Sequence, residues 1–401
     1  MKSKIKQIIK ANKKIYSMYF YIGSLFLRIL GHFIKTDDNL VLYVVYGGQR
    51  YDDSPRFIYE YLMKNRNEVK YKKLKHIWAF NAPDQMKKMN VPVNNMVKID
   101  SLQYYIIALK AKYWITNSSA SRGLNFKKKK TINVMFQHGT AGIKMIGADL
   151  KGNNESFGNA FDEQFDYIVI EGKQEEKILK RAWGLHNFKF TNVGLPRNDE
   201  LVKKNLNDVK NLKIKLGIPF NKKVILYAPT YREYNKDSSF AIFLNPPIDF
   251  NKWFKVLGNE YILLLTAHYE VAKLMDIPKT HPFVINAFKY PYINDLILVS
   301  DILISDYSSI IFDYSIVGKP IISYAYDYDT YEKERGIYPG YEQIFSHGIM
   351  KSEDEVLNYI HSMTSEGYKK ECDFTCNNIR DKYISNYGNA TEKSVKIIFG
   401  S

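Results

Sequence analysis

The sequence predicts an α/β protein built as two doubly wound domains, and three observations lead there. Its 401 residues exceed the roughly 250 to 300 that a single hydrophobic core usually organises. Short apolar runs of strand type alternate with amphipathic helical stretches in two separate series. A charged segment, LVKKNLNDVKNLKIKLGIPFNKK, stands between the series. Strands that are apolar throughout belong to parallel sheets covered by helices on both faces. The hydrophobic fraction of 45% is enough to fill two cores, and no internal repeat or low-complexity tract interrupts it.

The chain opens with a basic arm. Lys2, Lys4, Lys6, Lys10, Lys13, Lys14, Arg28 and Lys35 precede the first acid, Asp37, and these eight residues supply half of the net charge of +16. Within the arm, Ile15, Met18, Tyr19, Ile22, Leu25, Phe26, Ile29, Leu30 and Phe33 recur at helical spacing, with Ser17, Ser24, Arg28, Gly31 and Lys35 opposite. An apolar face beside a partly basic strip suits a helix lying in the interface of an anionic bilayer; a docked helix and a membrane span are the alternatives. The uncharged run from Ile15 to Leu27 is 13 residues, short of the about 20 that a span needs. Residues 1–35 are therefore read as a membrane-associating segment, and the apolar stripe argues against a nucleic-acid-binding tail. No small-residue cleavage site follows it, so a cleaved leader is not expected.

Residues 36–204 form the expected first domain. LVLYVVYGGQRYDDSPRFIYEYLMK reads as strand, glycine turn and helix, with Ser54 as cap and Pro55 at the first helical position. HIWAF, YWITNSS, TINVMFQHG and DYIVIEG add strands, and SLQYYIIALKAK and QEEKILKRAW add helices. The charged segment near residue 205 reads as partly helical rather than as a flexible linker. Residues 205–401 form the expected second domain, with strands in VILYAPT, YILLLTAH, FVINA, DILISD and PIISYAY. The two cysteines, Cys372 and Cys376, are four residues apart and fit two reduced thiols on a helix face in a cytosolic protein; a pair alone cannot complete a zinc site.

Ligands of open α/β sheets bind at the carboxyl ends of the strands, and polar residues cluster there. In DILISDYSSIIFDYSIVGKP a strand to Ser305 is followed by Asp306, Tyr307, Ser308 and Ser309, which open a helix expected to run to about Val317. Such a start exposes backbone N–H groups to an anion, and two hydroxyls can add hydrogen bonds; simple capping is the competing reading. His268 follows YILLLTA, and His138 follows VMFQ and precedes Gly139 and Thr140, so a histidine stands at a strand end in each half. A neutral imidazole there can take a proton from an attacking hydroxyl near pH 7, and a small residue beside it lets substrate approach the backbone. Dinucleotide, Walker, zinc-protease and serine-hydrolase signatures are absent, which disfavours those four classes.

Taken in order, HGTAGIKMIGAD, VGLPRNDEL, ILYAPTYRE and SDILISDYSSIIFDYSIVGKPIISYAYDYDTYEKERGIY resemble the CDP-glycerol glycerophosphotransferase family, the teichoic acid primases and polymerases, from about Tyr43 to Glu342. The resemblance implies a GT-B fold of two Rossmann-like domains facing a cleft, with acceptor bound by the first and donor by the second. It implies peripheral association with the cytoplasmic membrane face, in agreement with the amphipathic arm. By matching position, His138 looks like the catalytic base and His268 like the histidine that meets the donor phosphate. Ser308 and Ser309 resemble the pair that contacts the pyrophosphate. Gly139, Thr140, Arg197, Asp306, Asp313 and Arg335 fall in the same motifs and are implied as substrate-binding. The sequence departs from the family at the second histidine, where TAHYE places Thr266 and Tyr269 in positions usually held by arginine and proline.

The expected activity is transfer of glycerol phosphate, or a related polyol phosphate, from a CDP-activated donor to a lipid-linked acceptor with release of CMP. A GT-B glycosyltransferase using a nucleotide sugar is the alternative. No tightly bound cofactor and no nucleic-acid partner are expected. No metal-ligand cluster is visible in the sequence, which leaves an external Mg²⁺ open.

Overall fold

The computed structural model describes residues 13–150, 165–184, 189–230, 232, 248–266 and 281–400. Among these residues, twelve strands form two sheets in which every pairing is parallel. The first contains β1 (Asp37–Val44), β2 (Lys75–Phe80), β3 (Met96–Lys98), β4 (Ala111–Thr116), β5 (Ile132–Phe136), β6 (Tyr167–Ile170) and β7 (Lys189–Asn192), in the order β3-β2-β1-β4-β5-β6-β7. The second contains β8 (Lys223–Ala228), β9 (Tyr261–Leu265), β10 (Val284–Asn286), β11 (Ile302–Ser305) and β12 (Ile321–Ser323), in the order β10-β9-β8-β11-β12.

Both orders are doubly wound, and each reverses direction beside its first strand, between β1 and β4 and between β8 and β11. A crevice opens at the carboxyl ends of the strands at such a reversal. The sequence composition causes the layering: Val41, Leu42, Tyr43 and Val44 of β1 are all fully buried, because alternate side chains enter cores on opposite faces of the sheet. Tyr43 packs with Trp78, Ile115 and Val134 on one face, and Leu42 packs with Ala79, Ala108 and Trp114 on the other. The second sheet is covered in the same way, with Leu226 and Leu303 on one face and Ile225 and Ile304 on the other.

The charged segment between the sheets holds the helices Glu200–Lys203 and Leu206–Lys215, the latter opened by an Asn205–Asp208 capping box. The helix Ala390–Phe399, which belongs to the second half by sequence, returns to the first sheet, where Val395, Ile398 and Phe399 join the core of Tyr43 and Trp78. Its own N-cap residue, Asn389, makes no capping side-chain hydrogen bond among the described residues. Instead, the Asp199 carboxylate accepts the backbone N–H groups of Ala390 (2.8 Å) and Thr391 (2.9 Å), satisfying two of the donors a helix start leaves orphaned. The unit around the first sheet thus draws on both ends of the chain.

The helix Lys13–Phe33 lies on the first sheet's unit and changes one sequence expectation. Ser24 and Gly31, placed by the periodicity on a solvent strip, form the docking side together with Phe20, Gly23 and Leu27. The Ser24 hydroxyl accepts the Asn125 N–H at 2.9 Å, and a Cβ on Gly31 would lie 3.1 Å from a Leu109 methyl. Small residues let the helix seat closely. The apolar stripe therefore faces outward, with Met18, Ile22 and Phe26 each 56% exposed and Phe33 83% exposed. No helix among the described residues is long and apolar enough to cross a membrane.

Candidate active site

The two reversal crevices face one another, and the loops that line them come from β1, β4, β5, β6 and β7 on one side and β8 and β11 on the other. His138 stands two residues beyond β5. The loop after it is fixed from below: the buried Thr140 hydroxyl donates to Glu171 at 2.5 Å, and the Ala141 N–H donates to Glu175 at 3.2 Å. Glu175, in the first turn of the helix Lys173–Trp183, also accepts the Glu171 N–H at 3.0 Å. Burial pushes the Glu175 carboxyl up to about 8, and burial with the nearby Asp313 charge pushes Glu171 up to about 7. Thr140 thus anchors the loop.

Above the loop, the Tyr46 ring meets the His138 ring edge-on at 6.1 Å. Asn117, directly after β4, accepts the Tyr46 N–H through its side-chain oxygen at 2.8 Å and donates to the Asp53 carboxylate at 2.8 Å. The Tyr46 hydroxyl donates to the same Asp53 oxygen at 2.8 Å. Asp53 opens the helix Asp53–Lys64 with φ +60, a left-handed conformation that costs a non-glycine residue energy and persists because these bonds hold it. The Ser54–Pro55 start expected from sequence lies just inside it. His138 is exposed as a residue, yet the packed walls around its imidazole depress its pKa; the Asp53 charge and the Asn117 carbonyl oppose this, and Arg197 and Lys144 add to it. The ring stays neutral, and able to accept a proton, below its ordinary pKa.

Arg197, in the 3-10 turn Pro196–Asp199 after β7, crosses the cleft. It is 7% exposed and reaches Asp53 at 3.3 Å and the Gln137 carbonyl at 3.1 Å on its own side, and both Asp313 oxygens at 3.1 and 3.2 Å on the other. Neighbouring Asn198 donates to Glu171 and to Asp313, both at 2.7 Å, and Asn294 donates to the Arg197 carbonyl at 2.6 Å. The charge of Arg197 is thereby consumed inside the protein. Arg197 and Asp313 line the cleft, but the bonds they make clasp the two sheets together.

Ser308 and Ser309 follow β11 and are half-buried. The helix after them, Ile310–Ser315, is shorter than expected and passes into a turn before Val317. Ser308 accepts the Ile310 N–H at 3.4 Å. Ser309 touches the His138 loop: a Cβ built on Gly139 would lie 2.4 Å from the Ser309 hydroxyl oxygen. Asp306 is buried and occupied, accepting N–H groups from Thr230 (2.8 Å) and Tyr307 (2.7 Å) and pairing with Arg232 at 2.8 Å. It braces the loop after β8 against the loop after β11. Arg335 donates to the Met145 carbonyl at 2.5 Å, beside an antiparallel clip in which Met145 N–H meets the Gly336 carbonyl and Tyr338 N–H meets the Ile143 carbonyl. The motif ending in ERGIY thus holds the segment that follows His138.

His268 and Tyr269 lie outside the described residues. Thr266, at the end of β9, donates its N–H to the Tyr227 carbonyl at 3.0 Å. Among the described residues no group of three or more histidines, cysteines, aspartates or glutamates is placed to hold a metal ion.

Comparison with known proteins places these features in a family. The family model described as CDP-Glycerol:Poly(glycerophosphate) glycerophosphotransferase matches residues 25–400. A teichoic acid poly(glycerol phosphate) polymerase of Bacillus spizizenii is 30% identical over 411 residues, covering 100% of both chains. The corresponding polymerase of Staphylococcus epidermidis is 33% identical over 332 residues, which cover 78% of this chain and only 44% of that longer protein. Among solved structures, the wall teichoic acid polymerase TagF superposes with a TM-score of 0.80 at 26% identity, covering 98% of this chain and 95% of that one.

Proposed function

Because the chain belongs to the CDP-glycerol:poly(glycerophosphate) glycerophosphotransferase family, we propose that it moves glycerol phosphate from CDP-glycerol to the hydroxyl of a lipid-linked acceptor in teichoic acid synthesis. The observation that carries the site assignment is the packing of Ser309 against Gly139, which brings the hydroxyl-bearing start of a helix in one domain onto the histidine loop of the other. A donor phosphate held at Ser308 and Ser309 would stand beside His138. The His138 imidazole takes the proton of the acceptor hydroxyl as its oxygen bonds to the β-phosphorus. The bond from that phosphorus to the CMP oxygen breaks, and CMP leaves with the electron pair. Such transfer depends on positioning and on stabilising charge, more than on covalent chemistry by the protein.

His138 has the neutral imidazole that a general base requires, and Glu171, Glu175, Asp53 and Asn117 hold its loop and surroundings. The outward apolar stripe of the helix Lys13–Phe33, next to the basic arm, supports peripheral attachment to an anionic membrane surface, where a lipid-linked acceptor would be met. The test is incubation of the purified chain with CDP-glycerol, CDP-ribitol or a nucleotide sugar and a lipid-linked acceptor, with and without Mg²⁺. Release of CMP with a mass gain of one polyol phosphate supports the reading. Release of a nucleoside diphosphate with a sugar added to the product would replace it by glycosyl transfer.

A further inference from the structure

Beside His138 a pocket of about 80 Å³ lies between the two domains. Its charge is one-sided. Asp52, Asp53, Glu200 and Asp313 line it against a single guanidinium, Arg197, which Asp53 and Asp313 already neutralise, while Glu200 pairs with Lys204 at 3.2 Å behind it. A pyrophosphate would meet like charge there and lose water without gaining a donor. What the pocket offers instead is hydrogen-bond acceptors. Asn294 is 4% exposed; its amide nitrogen is fixed on the Arg197 carbonyl, and its buried side-chain oxygen has no partner among the described residues. Asp52 stands in the same pocket, its carboxyl pushed up to about 6 by burial against the opposing effects of the Asp53 N–H and the charges of Arg56 and Arg50. Phe57 and Tyr292 supply apolar walls. An acceptor-lined, anionic pocket with aromatic walls fits a neutral ligand with several hydroxyls on a short carbon chain, because each hydroxyl is a donor and each CH group can pack on a ring.

The rim carries the opposite charge. The exposed Arg50 lies over the Tyr46 ring at 5.7 Å, and the half-buried Arg56, whose Nε pairs with Glu60 at 2.8 Å, lies over the Tyr292 ring at 4.6 Å, so two of the pocket's aromatic walls each carry a guanidinium, of which Arg50 is the exposed one. A ligand whose neutral end enters the pocket and whose next group is anionic matches this order of charges.

We infer that the pocket is the subsite for the accepting end of the polymer, with Asn294 and Asp52 accepting hydrogen bonds from the terminal polyol and Arg50 and Arg56 facing the phosphodiester behind it. This rests on the proposed role of His138 as the base, since the pocket places a hydroxyl-bearing end at that imidazole. Asn294 and Asp52 are then specificity-determining residues. They reward the terminal hydroxyl that does not react, and a site built to bond a hydroxyl rejects the analogue that lacks it.

The test uses the full chain, CDP-glycerol, and two synthetic lipid-linked acceptors, one ending in glycerol phosphate and one ending in the same unit without its non-reacting hydroxyl. The wild type should prefer the glycerol end at least about 10-fold in kcat/KM, from the loss of a hydrogen bond at a buried acceptor. Asn294→Leu and Asp52→Ala, checked for folding by circular dichroism and Tm, should each raise the acceptor KM about 10-fold, leave the donor Kd unchanged and bring the preference close to 1. A parallel loss of donor affinity would give the pocket to the donor and overturn the inference, as would an unchanged preference in both variants. If the wild type transfers nothing from CDP-glycerol, the proposed activity fails by itself, and the pocket is then read by calorimetry with glycerol 3-phosphate. Binding by the wild type that either variant loses upholds the pocket; no binding, or equal binding by all three, overturns it.

Discussion

Gly139 and Ser309 come from different domains and stand so close that a Cβ on the glycine would lie 2.4 Å from the serine hydroxyl oxygen and 3.1 Å from its Cβ. The contact joins the loop of the expected base to the expected anion site, and it has no slack. Gly139→Ala should therefore push the two loops apart without unfolding either core. A displacement of about 1 Å at such a place costs on the order of 10²-fold in turnover. The double variant Gly139→Ala with Ser309→Gly removes the clashing hydroxyl and should recover part of that loss. Single-turnover rates of the three proteins decide it, and a Gly139→Ala enzyme of normal rate would show that the two loops need not meet.

His138→Ala should lower turnover by at least about 10²-fold with little change in donor affinity, the low end for a lost general base. The pH profile gives a second reading. Burial depresses the imidazole pKa from its ordinary 6.5, so the neutral form persists, and the rate should hold, to below that pH before it falls. Asp53 acts in the opposite sense by favouring the imidazolium. Asp53→Asn removes that charge, so the acid limb of kcat/KM should move to still lower pH, while turnover drops because Tyr46 and Asn117 lose their charged partner. An acid limb that moves upward would contradict the assigned role of Asp53.

If Ser308 and Ser309 meet the donor phosphates, Ser308→Ala combined with Ser309→Ala should weaken CDP-glycerol binding by at least about 1 kcal/mol, through lost hydrogen bonds to charged oxygens. The alternative is capping, and the structure bears on it directly: among the described residues Ser308 makes only a long 3.4 Å bond, to the Ile310 N–H. Calorimetry that finds the same donor affinity in the double variant, together with a lower Tm, would return both serines to a capping role.

The strands of the second sheet were all legible, because VILYAPT, YILLLTAH, FVINA, DILISD and PIISYAY each carry an apolar run, even at β10, a partly exposed edge strand. In the first sheet β3 and β7 were not. Met96–Lys98 has three residues, and Lys189–Asn192 has a single apolar residue, Phe190; both are edge strands, partly exposed, and lack the continuous apolar signal. Ser24 and Gly31 misled for a different reason, since small residues mark a close helix contact as readily as a polar face. At the site, His138, Ser308 and Ser309 stood out as polar residues at strand ends. Asp53, Asn117, Glu171, Asn198 and Asn294 did not, although Asn117 and Glu171 follow a strand directly and the same rule would have flagged them. Their importance comes from partners such as Arg197 and Asp313, which are 116 residues apart in the chain.

The outward stripe of the helix Lys13–Phe33 leads to the remaining prediction. Met18, Ile22 and Phe26 are each 56% exposed, so converting Ile22 and Phe26 to glutamine removes little buried contact and should leave the Tm close to that of the wild type. If that stripe lies in a bilayer interface, the same change removes apolar area from the lipid and should release the protein from anionic vesicles, more so at higher salt, where the attraction of the basic arm is screened. Deleting residues 1–35 is a less clean probe, because it also strips Leu27 from the core and Ser24 from the Asn125 N–H. Activity on a lipid-linked acceptor in vesicles should fall in the glutamine variant, while activity on a short soluble acceptor should not, since only the first requires the surface. Sedimentation with anionic vesicles at moderate salt, alongside both assays, separates the cases. A variant that stays bound and keeps its vesicle activity would move the membrane contact to another face, and one that loses both activities and unfolds would mean the stripe packs against protein.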